Sequence, residues 1–293
     1  MKPAPFEYFA PETTEEALAL LEQYGEDAKI LAGGQSLVPM MNFRLVKPSC
    51  LIDINRLREL SYIKRRDGTL HIGALTRHRM LERSPLIREI QGLALEAVRL
   101  IGHPAIRARG TVGGSIAHAD PTAELPAVLA AMDGWIEATG PQGKRSIPWQ
   151  EFFVSYFTTS LEPTELCSEI VLPVLPQGSG WAFEEFARRH GDFAMAGAAA
   201  VISIDSQRRC ALSRLALAGA GPTPMRASGA EELLRGEILT DRVLEEAGRL
   251  AAEQVEPDSD LHASAEYRRQ LIRVMATRAL KRAFAGAGNA GRK

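Results

Sequence analysis

The chain has 293 residues, 45% of them hydrophobic and 24% charged, with 35 basic against 36 acidic residues and a formal net charge of −1. That is enough chain for two or three modest cores, and a charge so close to zero disfavours nucleic acid as a main partner. No apolar run reaches the roughly 18 residues of a membrane span, and no hydrophobic stretch of the secretory kind follows Met1-Lys2-Pro3-Ala4-Pro5, so a cytoplasmic location is expected.

The first segment reads as strand followed by helix. Thr13-x-x-Glu16 is a capping pattern, Ala17, Leu18, Leu20 and Leu21 supply an apolar face, and Gly25 is a helix stop. Lys29-Ile30-Leu31 reads as a short strand, Leu37 to Met41 as a helical turn and Leu51 to Ile54 as a buried strand. A second unit begins near Leu60. His71 to Ala74 reads as a strand, Arg77 to Glu82 and Leu86 to Ile101 as helices, and Pro121 to Met132 as a helix with Pro121 at its start. Trp135 to Thr139 and Glu169 to Leu172 are strand candidates. Pro173 to Gly180 has the composition of a linker. Strand-like runs follow at Trp181–Arg188, Ala198–Ile204 and Leu212–Ala218, then amphipathic helices over about Asp241–Gln254 and Ser264–Phe284. The Gly/Ala-rich tail from Ala285 to Lys293 is expected to fray.

Cys50, Cys167 and Cys210 are scattered and odd in number. They form no C-x-x-C pair and imply no disulfide framework. Three thiols also cannot supply the four ligands of an iron–sulfur cluster, so any metal centre of the system is expected on another chain.

Two stretches carry the chemistry. Ala32-Gly33-Gly34-Gln35-Ser36-Leu37 follows Lys29-Ile30-Leu31, and Thr111-Val112-Gly113-Gly114-Ser115 follows Arg107-Ala108-Arg109-Gly110. A diglycine lets backbone N–H groups converge on a bulky anion, because no Cβ stands in the way. Neither stretch is a Walker loop or a G-x-G-x-x-G fingerprint. Two such loops suggest one pyrophosphate held from two sides, hence a dinucleotide. His118 has no second His or Cys at ligand spacing and reads as a polar contact rather than a metal ligand. Asp120-Pro121 could equally cap the next helix. Phe186 to Ala194, with Arg189, Asp192 and Phe193, reads as a strand, a polar turn and an aromatic residue.

Together these segments resemble the FAD-binding medium subunit of the molybdenum hydroxylases, the family that includes the flavin subunits or domains of carbon monoxide dehydrogenase, xanthine dehydrogenase and quinoline 2-oxidoreductase. The resemblance runs from Phe6-Glu7-Tyr8 through A-G-G-Q-S-L-V-P, R-L-V-K-P-S-C-L-I-D-I, I-R-A-R-G-T-V-G-G-S-I-A-H-A-D-P and G-D-F-A to Tyr267-Arg268. It implies an α+β fold: a PCMH-type FAD-binding fold of two α/β subdomains (1–57 and 58–176), then a C-terminal α+β domain with a three-stranded sheet (177–293). It implies non-covalent FAD here, with the molybdenum cofactor and the [2Fe–2S] clusters on a large and a small partner subunit, in a heterotrimer or a dimer of heterotrimers. Lys29, Ile30, Leu31, Ala32, Gly33, Gly34, Gln35, Ser36 and Leu37 are expected along one side of the diphosphate, and Thr111, Gly113, Gly114 and Ser115 along the other. Ala117, His118, Asp120 and Glu124 match positions toward the ribityl chain or ring. Ile101 and Gly102 match positions near the adenine half, Leu166 or Cys167 an aliphatic contact to the isoalloxazine, and Phe193 a ring-covering position.

The sequence departs from the family at three places: Gly114-Ser115 stands where several relatives have Gly-Asn, Ala117 is small, and Phe193 lacks a hydroxyl. Two other readings stay open at this point. One is a self-sufficient flavin oxidase of the vanillyl-alcohol-oxidase-like class, with His118 as the only residue near a plausible covalent site. The other is a non-enzymatic nucleotide-binding module.

Overall fold

The computed structural model describes residues 2–288. Its first unit is a parallel sheet of β1 (Glu7–Phe9), β3 (Cys50–Asp53) and β2 (Ala28–Leu31), in that order, with α1 (Thr14–Tyr24) and α2 (Leu37–Asn42) in the connections. The Thr13 hydroxyl accepts the Glu16 N–H at 3.2 Å, as the capping pattern predicts. The Glu16 carboxylate reaches one residue further back than in a standard box, accepting from the Glu12 N–H at 2.8 Å. Gly25, at φ +53°, closes α1 where a side chain would be strained.

The second unit is a five-stranded antiparallel sheet in the order β4 (Ile63–Arg66), β5 (Thr69–Gly73), β10 (Leu166–Pro173), β6 (Trp135–Gly140), β7 (Gly143–Pro148). Between β5 and β6 run α3 (His78–Arg83), α4 (Pro85–Ile90), α5 (Gly92–Leu100), α6 (Pro104–Arg109), α7 (Val112–His118) and α8 (Glu124–Ala131). After β7 come α9 (Trp149–Phe152) and a small hairpin of β8 (Phe153–Ser155) and β9 (Thr158–Thr159). Helix α8 is apolar almost all round after Glu124 and is correspondingly buried from Leu125 to Ala131.

Three expected elements differ. The single helix over Leu86–Ile101 is two, broken at Gln91 (φ −144°, ψ 59°), because the Trp181 indole packs directly over Gly92. The helix expected from Pro121 begins only at Glu124, since the backbone at Pro121-Thr122 is bent into a turn capped by Asp120. The second diglycine stretch is not a loop: Gly113 and Gly114 form the first turn of α7.

The third unit is an antiparallel sheet, β11 (Gly180–Phe186), β12 (Ala196–Ile204), β13 (Cys210–Ala218) and β14 (Met225–Arg226), backed by α10 (Ser228–Leu234), α11 (Asp241–Glu253) and α12 (Ala265–Gly286). The three expected strands are there, and the two-residue β14 extends the sheet by one. The expected frayed tail is helical as far as Gly286, and residues 289–293 lie outside the described residues. This sheet does not stand apart. Phe183, Val201 and Ala216 belong to the same hydrophobic core as Ile72, Leu129 and Ile136 of the second unit. Polar ties reinforce the seam: Arg226 bonds Asp133 at 2.6 Å and the Ala130 carbonyl at 3.1 Å, and Arg282 reaches both Glu184 and Glu96.

Candidate functional site

The first diglycine stretch leaves β2 as an open bend. Gly34 has φ +71°, a conformation that glycine adopts without strain. Among the described residues, the N–H groups of Gly33, Gly34, Gln35, Ser36 and Leu37 have no backbone or side-chain acceptor, and the stretch is only partly buried. The Gln35 amide folds back to the Gly33 carbonyl at 2.9 Å and stiffens the bend. Successive unpaired N–H groups in a concave turn make a nest for an anion.

The second stretch is built differently. Thr111 caps α7, its hydroxyl accepting the Gly114 N–H at 3.1 Å. The Val112 and Gly113 N–H groups are spent on the carbonyls of Thr76 and Ala74, each at 2.9 Å. Gly113 is therefore not a free anion donor, contrary to the expectation for a glycine loop. Its lack of a side chain serves close packing instead, because a Cβ there would stand 2.4 Å from the Ala74 Cβ. Gly114, exposed, and Ser115, partly exposed, remain on the open side of the helix.

The two stretches face one another. A Cβ on Gly33 would meet the Arg109 carbonyl at 2.5 Å, and one on Gly114 would lie 4.0 Å from the Ala32 Cβ. Two residues that sequence reasoning missed hold the gap closed. The Asn55 amide donates to the Ala32 carbonyl at 2.7 Å. The Arg77 guanidinium donates to Asn55 Oδ1 and to the Arg109 carbonyl. Behind them His78 donates from Nε2 to the Thr111 carbonyl at 3.0 Å; a carbonyl only accepts, so Nε2 carries the proton. Burial pushes His78 down to about 4, so the ring stays neutral. No local pattern marks Asn55 or Arg77, since their partners are brought together only by the fold.

The remaining expected residues fall into three groups. Lys29, Ile30 and Leu31 are strand residues of β2, with Lys29 exposed at its edge and Ile30 packed on the first core. Ala117, His118 and Glu124 border the same region as the second stretch. The His118 ring is 5.1 Å from that of Phe157, and burial holds it below the usual histidine range. Phe157 is itself unusual: a bulky residue at φ +53°, 55% exposed, with its N–H on the Ala119 carbonyl at 3.1 Å. Glu124 is pushed up to about 8, first by burial and then by Glu185, which burial alone pushes up to about 7. The Asp120 carboxylate commits Oδ1 to the Thr122 N–H and hydroxyl, at 2.9 and 2.7 Å, so it caps the turn before α8 and not α8 itself, whose N-cap is Ala123.

In the last group Ile101 is buried at the end of α5, and Gly102 turns the chain at φ +46°. Gly191 of the polar turn packs on Gly102, where a Cβ would stand 3.0 Å from its carbonyl oxygen. Arg189, Asp192 and Phe193 are exposed, Phe193 by 71%. Leu166 departs from expectation. It is 2% exposed in the first core, and Cys167 lies in the larger core, because both faces of β10 are covered.

Residues 4–175 match the model of the FAD binding domain in molybdopterin dehydrogenase, and residues 181–283 match the CO dehydrogenase flavoprotein C-terminal domain. The chain belongs to this flavoprotein family. It is an FAD-binding medium subunit of the molybdenum hydroxylase type, and an oxidoreductase component. This medium subunit is 47% identical over 284 residues to the 6-hydroxypseudooxynicotine dehydrogenase complex subunit alpha of Paenarthrobacter nicotinovorans, across 97% of this chain and 96% of that one. Its fold matches that of a carbon monoxide dehydrogenase from Hydrogenophaga pseudoflava, solved without the Mo-pyranopterin moiety, with a TM-score of 0.95 at 41% identity over 98% and 100% of the two chains. It also matches quinoline 2-oxidoreductase from Pseudomonas putida 86, with a TM-score of 0.93 at 35% identity over 98% and 99%.

The clasp of this medium subunit fits FAD on its own geometry. The run of unpaired N–H groups suits a diphosphate, and the exposed Gly114 leaves room beside it. Among the described residues no cluster of three or more His, Cys, Asp or Glu is placed to hold a metal ion, and the three cysteines are buried and free. No helix among them is long and apolar enough to cross a membrane.

Proposed function

We propose that this chain is the electron-transfer subunit of a cytoplasmic multi-subunit molybdenum dehydrogenase, taking electrons from [2Fe–2S] clusters of a small partner and passing them through FAD to an external acceptor. Substrate oxidation belongs to a large partner carrying the molybdenum cofactor, in a heterotrimer or a dimer of heterotrimers. When bound, FAD supplies the reversible one- and two-electron exchange; the chain supplies binding and electrostatics.

One observation carries the reading: the unpaired N–H nest of Gly33 to Leu37 lies against the α7 stretch, held there by Asn55 and Arg77. In this reading the nest binds one side of the diphosphate. The Thr111 and Ser115 hydroxyls bind the other, in the room left by Gly114, while Gly113 only lets α7 approach β5. His118, Ala117 and Glu124 line the continuation of the groove. Gly102, packed on Gly191, sets the height of the Arg189–Phe193 turn above it. The three units, over 1–57, 58–176 and 177–293, would each contribute a wall. The relatives support the assignment, since the medium chain of Hydrogenophaga pseudoflava carbon monoxide dehydrogenase is 41% identical over 285 residues.

The test is spectroscopic. The purified chain should carry about one FAD per polypeptide, released into the supernatant by acid. Its absorbance should bleach only when both partners and the partner enzyme's substrate are added. Stoichiometric iron or molybdenum on the isolated chain, or flavin that stays with the acid pellet, would overturn the proposal.

A further inference from the structure

Away from the clasp, α3 to α6 flank an open, solvent-facing cavity of about 440 Å³. Arg79, Arg83, Arg88, Arg99 and Arg107 line it, with Glu82 as the one carboxylate. This is not the mark of a basic protein, because the chain holds 35 basic residues against 36 acidic. Several arginines elsewhere are neutralised by carboxylates, Arg145 by Glu165, Arg226 by Glu231, Arg268 by Asp260 and Arg282 by Glu184. Around the cavity, the guanidinium groups of Arg79, Arg83, Arg88 and Arg99 have no acceptor among the described residues. Glu82 is taken by Arg107, at 3.1 Å from its Nε.

Arg107 makes this more than a surface patch. It is 8% exposed. Its Nη1 donates to the carbonyls of Ile101 at 3.0 Å and Gly102 at 3.2 Å, which fixes the side chain in place. Its Nη2 has no acceptor among the described residues. A buried, immobilised guanidinium ringed by four unpaired arginines, with Glu82 as the one counter-charge, is a local excess of positive charge. Planar forked donors match phosphoryl oxygens two at a time. No aromatic side chain lines the space, so no base or ring would be held by stacking.

We propose that this cavity is a binding site for a small, multiply charged phosphoryl anion, a pyrophosphate or the diphosphate portion of a nucleotide, separate from the flavin clasp. Arg107 holds its inner end, and Arg79, Arg83, Arg88 and Arg99 hold the open side. Helix α6 then serves both places: the Arg109 carbonyl faces the clasp and the Arg107 guanidinium faces the cavity.

Isothermal titration of the full chain with inorganic pyrophosphate tests this, with FAD in excess so that the clasp is filled. One saturable site is expected, weakened at least tenfold in an Arg83→Ala/Arg99→Ala double variant and bound more tightly by pyrophosphate than by monophosphate. Both substitutions are at exposed positions; should the pair fail to fold, Arg88→Ala alone is expected to weaken binding several-fold. Absence of saturable binding, or equal affinity in the variants, overturns the proposal. Displacement of pyrophosphate by hexaglutamate at lower concentration overturns the ligand class and makes the cavity a seat for an acidic protein segment. Because the readout is loss of affinity in cavity variants, it stands or falls separately from flavin binding.

Discussion

Gly33 lies against the carbonyl oxygen of Arg109, so close that a Cβ would stand 2.5 Å from that oxygen and 2.8 Å from the Gly110 Cα. Both obstacles are backbone and neither can rotate away. The Gly33→Ala variant is expected to push the two stretches apart, at a cost of about 1–3 kcal/mol by analogy with overpacking in cores. Chemical denaturation should show the lower stability, and equilibrium dialysis a flavin affinity reduced along with it. Wild-type values on both measures would mean that the stretches are not in contact.

Asn55 joins the two walls through a donor to Ala32 and an acceptor for Arg77. Removing it leaves both partners without their bond. Asn55→Ala is expected to destabilise the chain by about 1–3 kcal/mol, the usual penalty for stranding a polar partner. Flavin should dissociate faster in stopped-flow displacement, while the far-ultraviolet circular dichroism stays the same.

Glu124 and Glu185 are held protonated above the usual carboxylate range, about 8 and about 7. A raised folded-state value means that the native chain binds protons the unfolded chain has lost. The stabilisation is complete below about pH 4.5, where both states are protonated, and is lost as pH rises through 7 to 8. Urea midpoints should therefore fall between pH 6 and pH 9, with stability lower by up to about 4 kcal/mol. Glu124→Gln should flatten most of that slope, and an unchanged slope in the variant would assign it elsewhere.

Phe157 occupies the left-handed region, where a bulky side chain is strained by about 1–3 kcal/mol. Asparagine tolerates that conformation. Phe157→Asn is expected to keep or raise the melting temperature while uncovering His118, whose titration should then move up toward the ordinary histidine range, read by nuclear magnetic resonance. A lower melting temperature with an unmoved His118 would contradict the arrangement.

Much of the framework was readable in sequence because its signals are local. The Thr13 cap, the Gly25 stop and the strand-like runs of β11 to β13 each act within a few residues. What misled was tertiary. Gly113-Gly114 reads as a loop because glycine is a poor helix former, yet α7 needs a residue without a Cβ to seat against Ala74. The helix after Leu86 breaks because Trp181, far along the chain, takes the space over Gly92. Asn55 and Arg77 sit in ordinary contexts, and only the folded chain brings Ala32 and Arg109 to them. The two diglycine stretches were recognisable as a pair, but their division of labour was not: one offers free N–H groups and the other offers proximity.

The seam between the β10 side and the β11 side of the molecule is filled by one continuous set of apolar side chains, with Phe183 and Val201 packed among Leu129 and Ile136. The stretch from Val174 to Ser179 that joins the two sides adds a few ties of its own, Leu175 on that core and the backbone bonds of Val174 to Gly68 and of Gly288 to Gly178. A protease that severed it should leave a nicked particle of unchanged hydrodynamic size, both pieces melting in a single event.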